Sequence, residues 1–480
     1  MDIAVIIYIL GYIIAFLGGF MFVPATAGLF MGEAMISLVY ACCGLIYISG
    51  GILITFHKPK NMNLFSREGA AAVALGWIVL SLLGAVPFVI TGDIPSYVDA
   101  VFETISGFTT TGSSILTNVE GLTKTSLFWR SFTHWVGGMG VFVFIIMIAP
   151  MMGGQNMNLM KAESPGPDVG KFVPHVRDTA KILYRLYLAI TVAEIICLLL
   201  AGMPLFDSIT LTFGSVGTGG FGVKNDSCAS YTALQQNIIT VFMILSGINY
   251  VAYFYLITGK IKEIFKVEEI RWYLGIILTS AVVIAVNIRS LYGSWEETFR
   301  HSFFQVGTII TTTGYATTDF DLWPSLSKFI LVLLMIVGAC AGSTGGGMKV
   351  SRWIILTKSA IKELSLVVHP HAVKKIRMDN RAVPHNVLRS TNTYFVIYFM
   401  TLMASVLLIS IDNFDFETNF TAVAATLNNI GPGLAKVGPT MNFFNFSAFS
   451  KVIMMFDMLA GRLELFPIMI LFFPQAWRKH

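Results

Sequence analysis

The sequence predicts an all-α polytopic membrane protein with four pseudo-repeated helix–pore loop–helix units around a central pore and two extra N-terminal transmembrane helices. Three observations support this fold class. Hydrophobic residues make up 55% of the chain and charged residues only 12%, whereas a soluble chain is about 25% charged. The hydrophobic residues are gathered into successive apolar spans. Between pairs of these spans, a short segment containing glycine recurs four times.

Ten apolar spans are predicted, since a helix needs about 20 apolar residues to cross a membrane. They cover residues 3–30, 36–56, 69–91, 127–153, 182–204, 232–258, 270–288, 325–365, 388–411 and 443–473. The first two spans stand alone, and the other eight form pairs around the four glycine-containing segments. The span at 325–365 is too long for a single crossing and is interrupted at 338–348.

The recurring pattern divides the chain into five units. The predicted units are an N-terminal two-helix extension (1–65), repeat 1 (66–165), repeat 2 (166–268), repeat 3 with an intramembrane glycine-rich loop (269–375) and repeat 4 (376–480).

The orientation follows from Lys and Arg, which accumulate in cytoplasmic loops. With the 57–68 loop placed in the cytoplasm, 23 of the 32 Lys and Arg residues fall on that side and eight fall outside. Arg462 remains inside a span. Both termini are then cytoplasmic, and all four glycine-containing segments enter the membrane from outside.

The glycine segments occupy residues 109–113, 216–220, 311–315 and 428–432. A run of Thr and Gly at this depth cannot face lipid, because its backbone groups would lack hydrogen-bond partners. Four such segments around one axis would let carbonyl oxygens replace the water shell of an ion. We therefore predict a selectivity filter aligned on its four glycines. Its predicted residues are Thr110, Thr111, Gly112, Thr218, Gly219, Thr312, Thr313, Gly314, Asn429, Ile430 and Gly431.

A short helix is predicted before each glycine segment, near 97–108, 206–215, 300–310 and 418–428. None is long enough to cross the membrane, and each would point its C-terminus at the filter. Helix C-termini carry partial negative charge, so this arrangement favours a cation. Glu103 lies in the first short helix, where it could accept structural hydrogen bonds or bind an ion.

Two nucleotide-binding patterns occur out of context. Gly217-x-Gly219-x-x-Gly222 fits the dinucleotide fingerprint but lacks the preceding strand and the βαβ setting. The run from Gly342 to Lys349 resembles a phosphate loop, but Met348 separates Gly347 from Lys349, and Val350 follows the lysine where Ser or Thr is needed. The sequence therefore predicts no ATP-driven enzyme.

The glycine-rich run at 338–347 and Arg462 each allow two interpretations. The glycines could form an irregular loop within the membrane or allow close helix packing. A charge at membrane depth costs about 2.5 kcal/mol or more and usually faces a cavity or a partner. Arg462 could therefore face the pore, or it could form a buried ion pair with Asp457 or Glu194.

The four glycine segments resemble those of the Trk/Ktr/HKT superfamily of potassium transporters, together with NNIGPGL at 428–434, GACAGSTGGGMK at 338–349 and GRLELFP at 461–467. The resemblance covers essentially the whole chain and is closest to the bacterial TrkH type. It implies one pore made of four unequal repeats, with K⁺ in the filter and no cofactor in this chain. The K⁺ positions that it implies are Thr111, Gly112, Thr218, Gly219, Thr313, Gly314, Ile430 and Gly431.

The resemblance also implies a gate and partners. Gly345, Gly346 and Gly347 would belong to a gating loop below the filter, and Arg462 would project into the pore. The protein would form homodimers in the lipid of the cytoplasmic (inner) membrane and assemble on a cytosolic nucleotide-binding ring similar to TrkA. No nucleic acid is expected as a partner.

The expected function is potassium uptake across the cytoplasmic membrane, gated by the loop under control of that ring. The alternative is a proton- or sodium-coupled potassium symporter. It requires an intramembrane carboxylate that titrates during transport, and the candidates outside the filter region are Glu194 and Asp457.

Overall fold

The computed structural model describes residues 2–59, 66–138, 140, 176–372 and 374–477. Within these ranges, six helices are long and apolar enough to cross a membrane. They are Ile3–Phe30, Ala34–Thr55, Arg67–Thr91, Lys181–Leu200, Glu268–Leu291 and His385–Asp412. The predicted all-α membrane fold is confirmed. The end of the predicted 127–153 span and the predicted boundary between repeats 1 and 2 lie outside the described residues.

The two N-terminal helices, Ile3–Phe30 and Ala34–Thr55, pack against each other through glycines. A Cβ atom added to Gly18 would lie 2.6 Å from the carbonyl oxygen of Gly44. Small residues allow this close approach of helix backbones in a membrane. The pair also contacts repeat 1, where the hydroxyls of Tyr40 and Ser126 lie 3.0 Å apart.

Each repeat begins with a long outer helix and continues into a short one. The outer helices correspond to the last four of the membrane-crossing stretches given above. As helices, their bounds are Ser66–Thr91, Val176–Leu200, Glu268–Ile288 and His385–Ile409. The short helices, here called half-helices 1 to 4, are Tyr97–Phe108, Leu205–Val216, Trp295–Ile310 and Phe416–Leu427. Half-helix 3 begins five residues before the predicted 300, because the Ser294 side chain caps it by accepting a hydrogen bond from the Glu297 N–H.

Asp415 caps half-helix 4 at its N-terminus. Its carboxylate accepts hydrogen bonds from the backbone N–H of Thr418, at 2.8 Å, and from the Thr418 hydroxyl, at 2.7 Å. These bonds favour the charged form and lower the pKa of Asp415. The negative charge also suits the N-terminus of a helix.

The helix after each glycine segment is less regular. These inner helices are Lys124–Gly138, Ala233–Ser246 with Tyr250–Ile257, Ser325–Ile336 with Val350–Val368, and Ala448–Arg462 with Phe466–Met469. The last three are each broken into two parts. The interruption predicted at 338–348 is observed as a loop between Ile336 and Val350.

The span predicted at 232–258 is not one helix, because it breaks between Ser246 and Tyr250. The glycine-rich loop supplies partners for the freed backbone groups. The Gly247 carbonyl accepts a hydrogen bond from the Cys340 N–H at 3.1 Å, and the Tyr250 N–H donates to the Gly342 carbonyl at 3.2 Å. A helix break within a membrane is tolerated where neighbouring protein satisfies the backbone in this way.

The remaining elements are short. They are the helices Ile261–Ile264 and Pro474–Trp477, the 3₁₀ turns Arg289–Leu291, Phe320–Leu322, Ser410–Asp412, Ala435–Val437 and Ile470–Phe472, and the strands Arg377–Met378 and Arg381–Ala382. The two strands form an antiparallel hairpin in which Arg377 is opposite Ala382.

Candidate ion pathway

The four glycine segments share one backbone conformation. Thr110, Thr218, Thr312 and Asn429 have φ values of 54°, 54°, 59° and 55°. Positive φ is rare for a β-branched residue such as Thr, and strained backbone of this kind clusters at functional sites. Two residues later, Gly112, Gly220, Gly314 and Gly431 again have positive φ, from 80° to 100°.

This conformation corrects the predicted alignment in repeat 2, where Gly220 rather than Gly219 is equivalent to Gly112. The backbone hydrogen bonds of the four segments support the same alignment. The N–H groups of Thr111, Gly219, Thr313 and Ile430 each donate to a carbonyl five residues earlier, at 2.7–2.9 Å. The sequence offers two adjacent glycines at 219 and 220, so residue type could not decide the register. Backbone conformation decides it.

The four segments close into a ring. A Cβ atom on Gly112 would overlap the carbonyl oxygen of Gly219, one on Gly220 that of Thr313, and one on Gly314 that of Ile430. A Cβ on Gly431 would lie 2.9 Å from the carbonyl oxygen of Thr111, which completes the circle. Each of these glycines therefore faces a carbonyl of the next repeat. We call Gly112, Gly220, Gly314 and Gly431 the ring glycines.

A cavity of about 170 Å³ lies beside the ring. All four ring glycines line it, together with residues of the loops that follow the glycine segments, including Ser114, Lys224 and Gly438. The ring thus opens on this side into a space large enough for several water molecules.

The contact between repeats 1 and 2 is braced by a buried ion pair. The Nε of Arg130 lies 2.6 Å from a carboxylate oxygen of Glu103, and the two side chains are 3% and 0% exposed. Glu103 also accepts hydrogen bonds from the Ser114 hydroxyl and the Ile115 N–H. Arg130 donates to the Gly222 carbonyl at 2.8 Å. Glu103 therefore has a structural role: it holds the chain beyond the first glycine segment and pairs with Arg130, which contacts the chain beyond the second.

His134 braces the same boundary closer to the ring. Its Nδ1 lies 2.7 Å from the Gly107 carbonyl, and its Nε2 accepts a hydrogen bond from the Phe221 N–H at 3.1 Å. A ring nitrogen that accepts must be unprotonated, so this geometry requires the neutral imidazole with its proton on Nδ1. Sequence reasoning missed both His134 and Arg130. The available signal was two ionisable side chains within the apolar span predicted at 127–153.

The other boundaries use different contacts. The Asn429 side chain donates to the Thr111 hydroxyl at 2.8 Å, and the Ser113 hydroxyl donates to the Gly431 carbonyl at 3.1 Å. Both bonds join repeats 1 and 4. The Tyr315 hydroxyl joins repeats 3 and 2 by donating to the Leu211 carbonyl at 3.0 Å.

The glycine-rich loop, residues 337–349, lies against the ends of the half-helices. The Gly346 N–H donates to the Thr312 hydroxyl at 2.6 Å, and the Thr344 hydroxyl donates to the carbonyl of Val216 at 3.2 Å. A Cβ on Gly346 would lie 2.6 Å from the Asn428 carbonyl oxygen. The loop therefore contacts the C-terminal ends of half-helices 2, 3 and 4, at the residues that enter the ring.

Arg462 joins this loop to repeat 1. Its guanidinium donates to the Thr344 carbonyl at 2.8 Å and to the Gly137 carbonyl at 2.6 Å. The two acids considered as its partners have serine donors: Ser215 donates to Glu194 at 2.5 Å and Ser405 donates to Asp457 at 2.7 Å. The structure thus brings together Gly345, Gly346 and Arg462 at the inner end of the half-helices.

Four half-helices that converge on a ring of backbone carbonyls define a class of membrane protein, the cation transporters built on pore loops. A family model described as TrkH, cation transport protein, matches residues 37–479. The chain belongs to this family.

Several relatives are similar in sequence to this chain over nearly its full length. The chain is 36% identical over 482 residues to the Trk system potassium uptake protein TrkH of Salmonella typhimurium, covering 98% of each sequence. It is 35% identical to the protein of that name from Escherichia coli K12, with the same coverage. Its structure matches the crystal structure of the potassium transporter TrkH from Vibrio parahaemolyticus with a TM-score of 0.89, at 33% identity and full coverage of both chains.

The buried pair behind the ring generates a prediction. Glu103→Gln should lower the melting temperature of the detergent-solubilised protein by several degrees, because it leaves the Arg130 charge buried and unpaired. Such a loss costs about 3–5 kcal/mol. The control is Glu417→Gln, which removes one partner of a more exposed pair with Lys328. Exposed pairs contribute about 0–1 kcal/mol. Equal melting temperatures for the two variants would therefore contradict a stabilising role of the Glu103–Arg130 pair.

Proposed function

We propose that this protein carries K⁺ into the cell across the cytoplasmic membrane, with the four glycine segments as its selectivity filter. The observation that carries the proposal is the closed ring, in which the carbonyls of Thr111, Gly219, Thr313 and Ile430 each lie against a glycine of the neighbouring repeat. Carbonyl oxygens arranged in this way can replace the hydration shell of a monovalent cation. The potassium named in the relatives' descriptions supports the choice of ion.

The charge distribution supports a cation over an anion. All four half-helices end at the ring, with C-terminal caps at Thr109, Gly217, Thr311 and Asn428. Each helix C-terminus carries about half a negative elementary charge. Four of them directed at one site lower the energy of a cation there without any side-chain carboxylate.

The glycine-rich loop and Arg462 are the proposed gate. The loop contacts half-helices 2, 3 and 4 at their C-terminal ends, and Arg462 ties the loop to repeat 1 through the Gly137 carbonyl. Glycine gives the loop backbone shapes that other residues resist. A small change in the backbone of the glycine-rich loop would therefore separate the loop from the carbonyl ring without unfolding a helix.

The proposed partners are a second copy of this chain and a cytosolic nucleotide-binding ring. The support for the latter is a basic cytoplasmic surface: Lys374, Lys375, Arg377 and Arg381 are all exposed on or beside the two-stranded hairpin. Such a cluster suits an acidic protein surface. The relatives' descriptions as parts of a Trk system agree with a multi-subunit assembly.

The filter is tested by ion selectivity. Gly112→Ser should move the bi-ionic reversal potential toward Na⁺, because a side chain would displace the Gly219 carbonyl from the ring. Gly92→Ser is the matched control, since Gly92 also has a φ of 80° but has no atom within 4 Å of an added Cβ. Identical reversal potentials in Gly112→Ser and the parent would exclude Gly112 from the filter.

The gate is tested by flux without a partner. Deleting Gly345 to Gly347, or changing Arg462 to Ala, should raise Rb⁺ uptake into liposomes about tenfold, which corresponds to about 1.4 kcal/mol of barrier. Arg462→Lys, which keeps the charge, serves as control. Monodisperse variants with uptake at or below the parental level would refute the gate.

The proposed docking of the nucleotide-binding ring on the two-stranded hairpin is tested by co-purification. Replacing Lys374, Lys375 and Arg377 by Gln should weaken binding of the nucleotide-binding ring at physiological salt, because three attractive charges are lost. Replacing Lys260, Lys262 and Lys266 by Gln removes the same charge from another cytoplasmic segment. If both triple variants retain the nucleotide-binding ring equally, the hairpin is not its docking surface.

A further inference from the structure

Lys349 ends the glycine-rich loop, directly before the helix Val350–Val368. Its side chain is 1% exposed. Lysine is almost never fully buried unless its charge is paired. The ring, the half-helices and Arg462 do not account for this burial.

The ammonium group turns back onto its own loop. Its Nζ donates to the carbonyl of Gly345 and, at 3.3 Å, to the carbonyl of Gly346. Both residues contact the third glycine segment: a Cβ on Gly345 would lie 2.9 Å from the Thr311 carbonyl oxygen, and the Gly346 N–H donates to the Thr312 hydroxyl. A fixed positive charge thus lies on the inner side of the ring, coordinated by backbone carbonyls.

The nearby acids are engaged elsewhere. Glu464 pairs with Arg352, whose Nη1 lies 3.2 Å from it. Glu269 accepts hydrogen bonds from the N–H groups of Ala341 and Ser351, at 2.7 and 3.1 Å. Among the residues that the structure describes, no carboxylate lies within ion-pair distance of the Lys349 ammonium. Its partners are neutral carbonyl oxygens, the same ligands that a potassium ion uses.

We propose that the Lys349 ammonium is a tethered cation that occupies a carbonyl site on the ion path and holds the loop closed. An ammonium is a compact point charge with several donors, so two loop carbonyls can bind it in place of an ion. Two unit charges cannot share such a site, because their repulsion in a low-dielectric setting is large. The path therefore opens when the ammonium leaves Gly345 and Gly346. This inference rests on the loop being the gate.

Charge can be separated from packing with three substitutions. Lys349→Met keeps much of the aliphatic chain and removes the charge, Lys349→Gln keeps a donor for the carbonyls without charge, and Lys349→Arg keeps the charge. Lys358→Met is the matched control. Lys358 lies on the same helix but pairs with Glu268, at 2.6 Å, away from the loop contacts.

The experiment measures Rb⁺ uptake by the purified full-length protein in liposomes without any partner. We expect Lys349→Met and Lys349→Gln to raise uptake about tenfold, the effect of removing roughly 1.4 kcal/mol of barrier. Lys358→Met should stay at the parental rate. Lys349→Arg, which keeps the charge in a bulkier planar group, should give a lower uptake than either neutral variant. In the protein lacking Gly345 to Gly347, Lys349→Met should add nothing, because the loop carbonyls that bind the ammonium are disrupted.

The outcomes distinguish a failure of the tethered cation from a failure of the gate. If the loop deletion raises uptake and neither neutral variant does, the tethered cation is wrong and the gate stands. If the deletion also has no effect, the proposed gate itself fails. If Lys349→Met raises uptake and Lys349→Gln does not, the hydrogen bonds rather than the charge hold the loop, which also overturns the proposal. If Lys349→Met does not yield monodisperse protein, Lys349→Gln decides alone.

Discussion

Backbone N–H and C=O groups within a membrane need partners inside the protein, because lipid offers none. This constraint shapes two parts of the proposed ion pathway. Each half-helix ends and its chain turns through a strained residue into the ring. Beside the glycine-rich loop, the broken helix of repeat 2 is completed by hydrogen bonds to that loop. The irregular backbone is thus tolerated because other segments of the same chain surround it.

The ring is nearly symmetric in its backbone, but its supports differ. Repeats 1 and 2 are joined by Arg130, which pairs with Glu103 and donates to the Gly222 carbonyl. Neutral His134 joins the same two repeats, whereas repeats 1 and 4 are joined by amide and hydroxyl groups. A buried pair holds its position strongly, and its cost is high when one partner is removed. The four carbonyls consequently have unequal freedom to move, as expected of a ring formed by one chain with four diverged repeats.

The elements that depend on local pattern could be predicted from the sequence. The long apolar helices, the four half-helices and the interruption at 338–348 follow from hydropathy and from glycine content. The equivalence of Gly220 with Gly112 could not be predicted, since it rests on backbone conformation at a Gly–Gly pair. The break after Ser246 could not be predicted either, because the hydrogen-bond partners that stabilise it come from a loop about 90 residues later. The same holds for His134, Arg130 and Lys349, whose contacts are set by tertiary packing.

Binding of a permeating cation by the carbonyl ring can be tested by locating ion density at the ring. Anomalous diffraction from crystals of the full-length protein grown in Rb⁺ would locate the ion, with crystals grown in Na⁺ as the control. The account predicts an anomalous peak on the axis between the carbonyls of Thr111, Gly219, Thr313 and Ile430. Rb⁺ peaks elsewhere in the protein with none on this axis would contradict it.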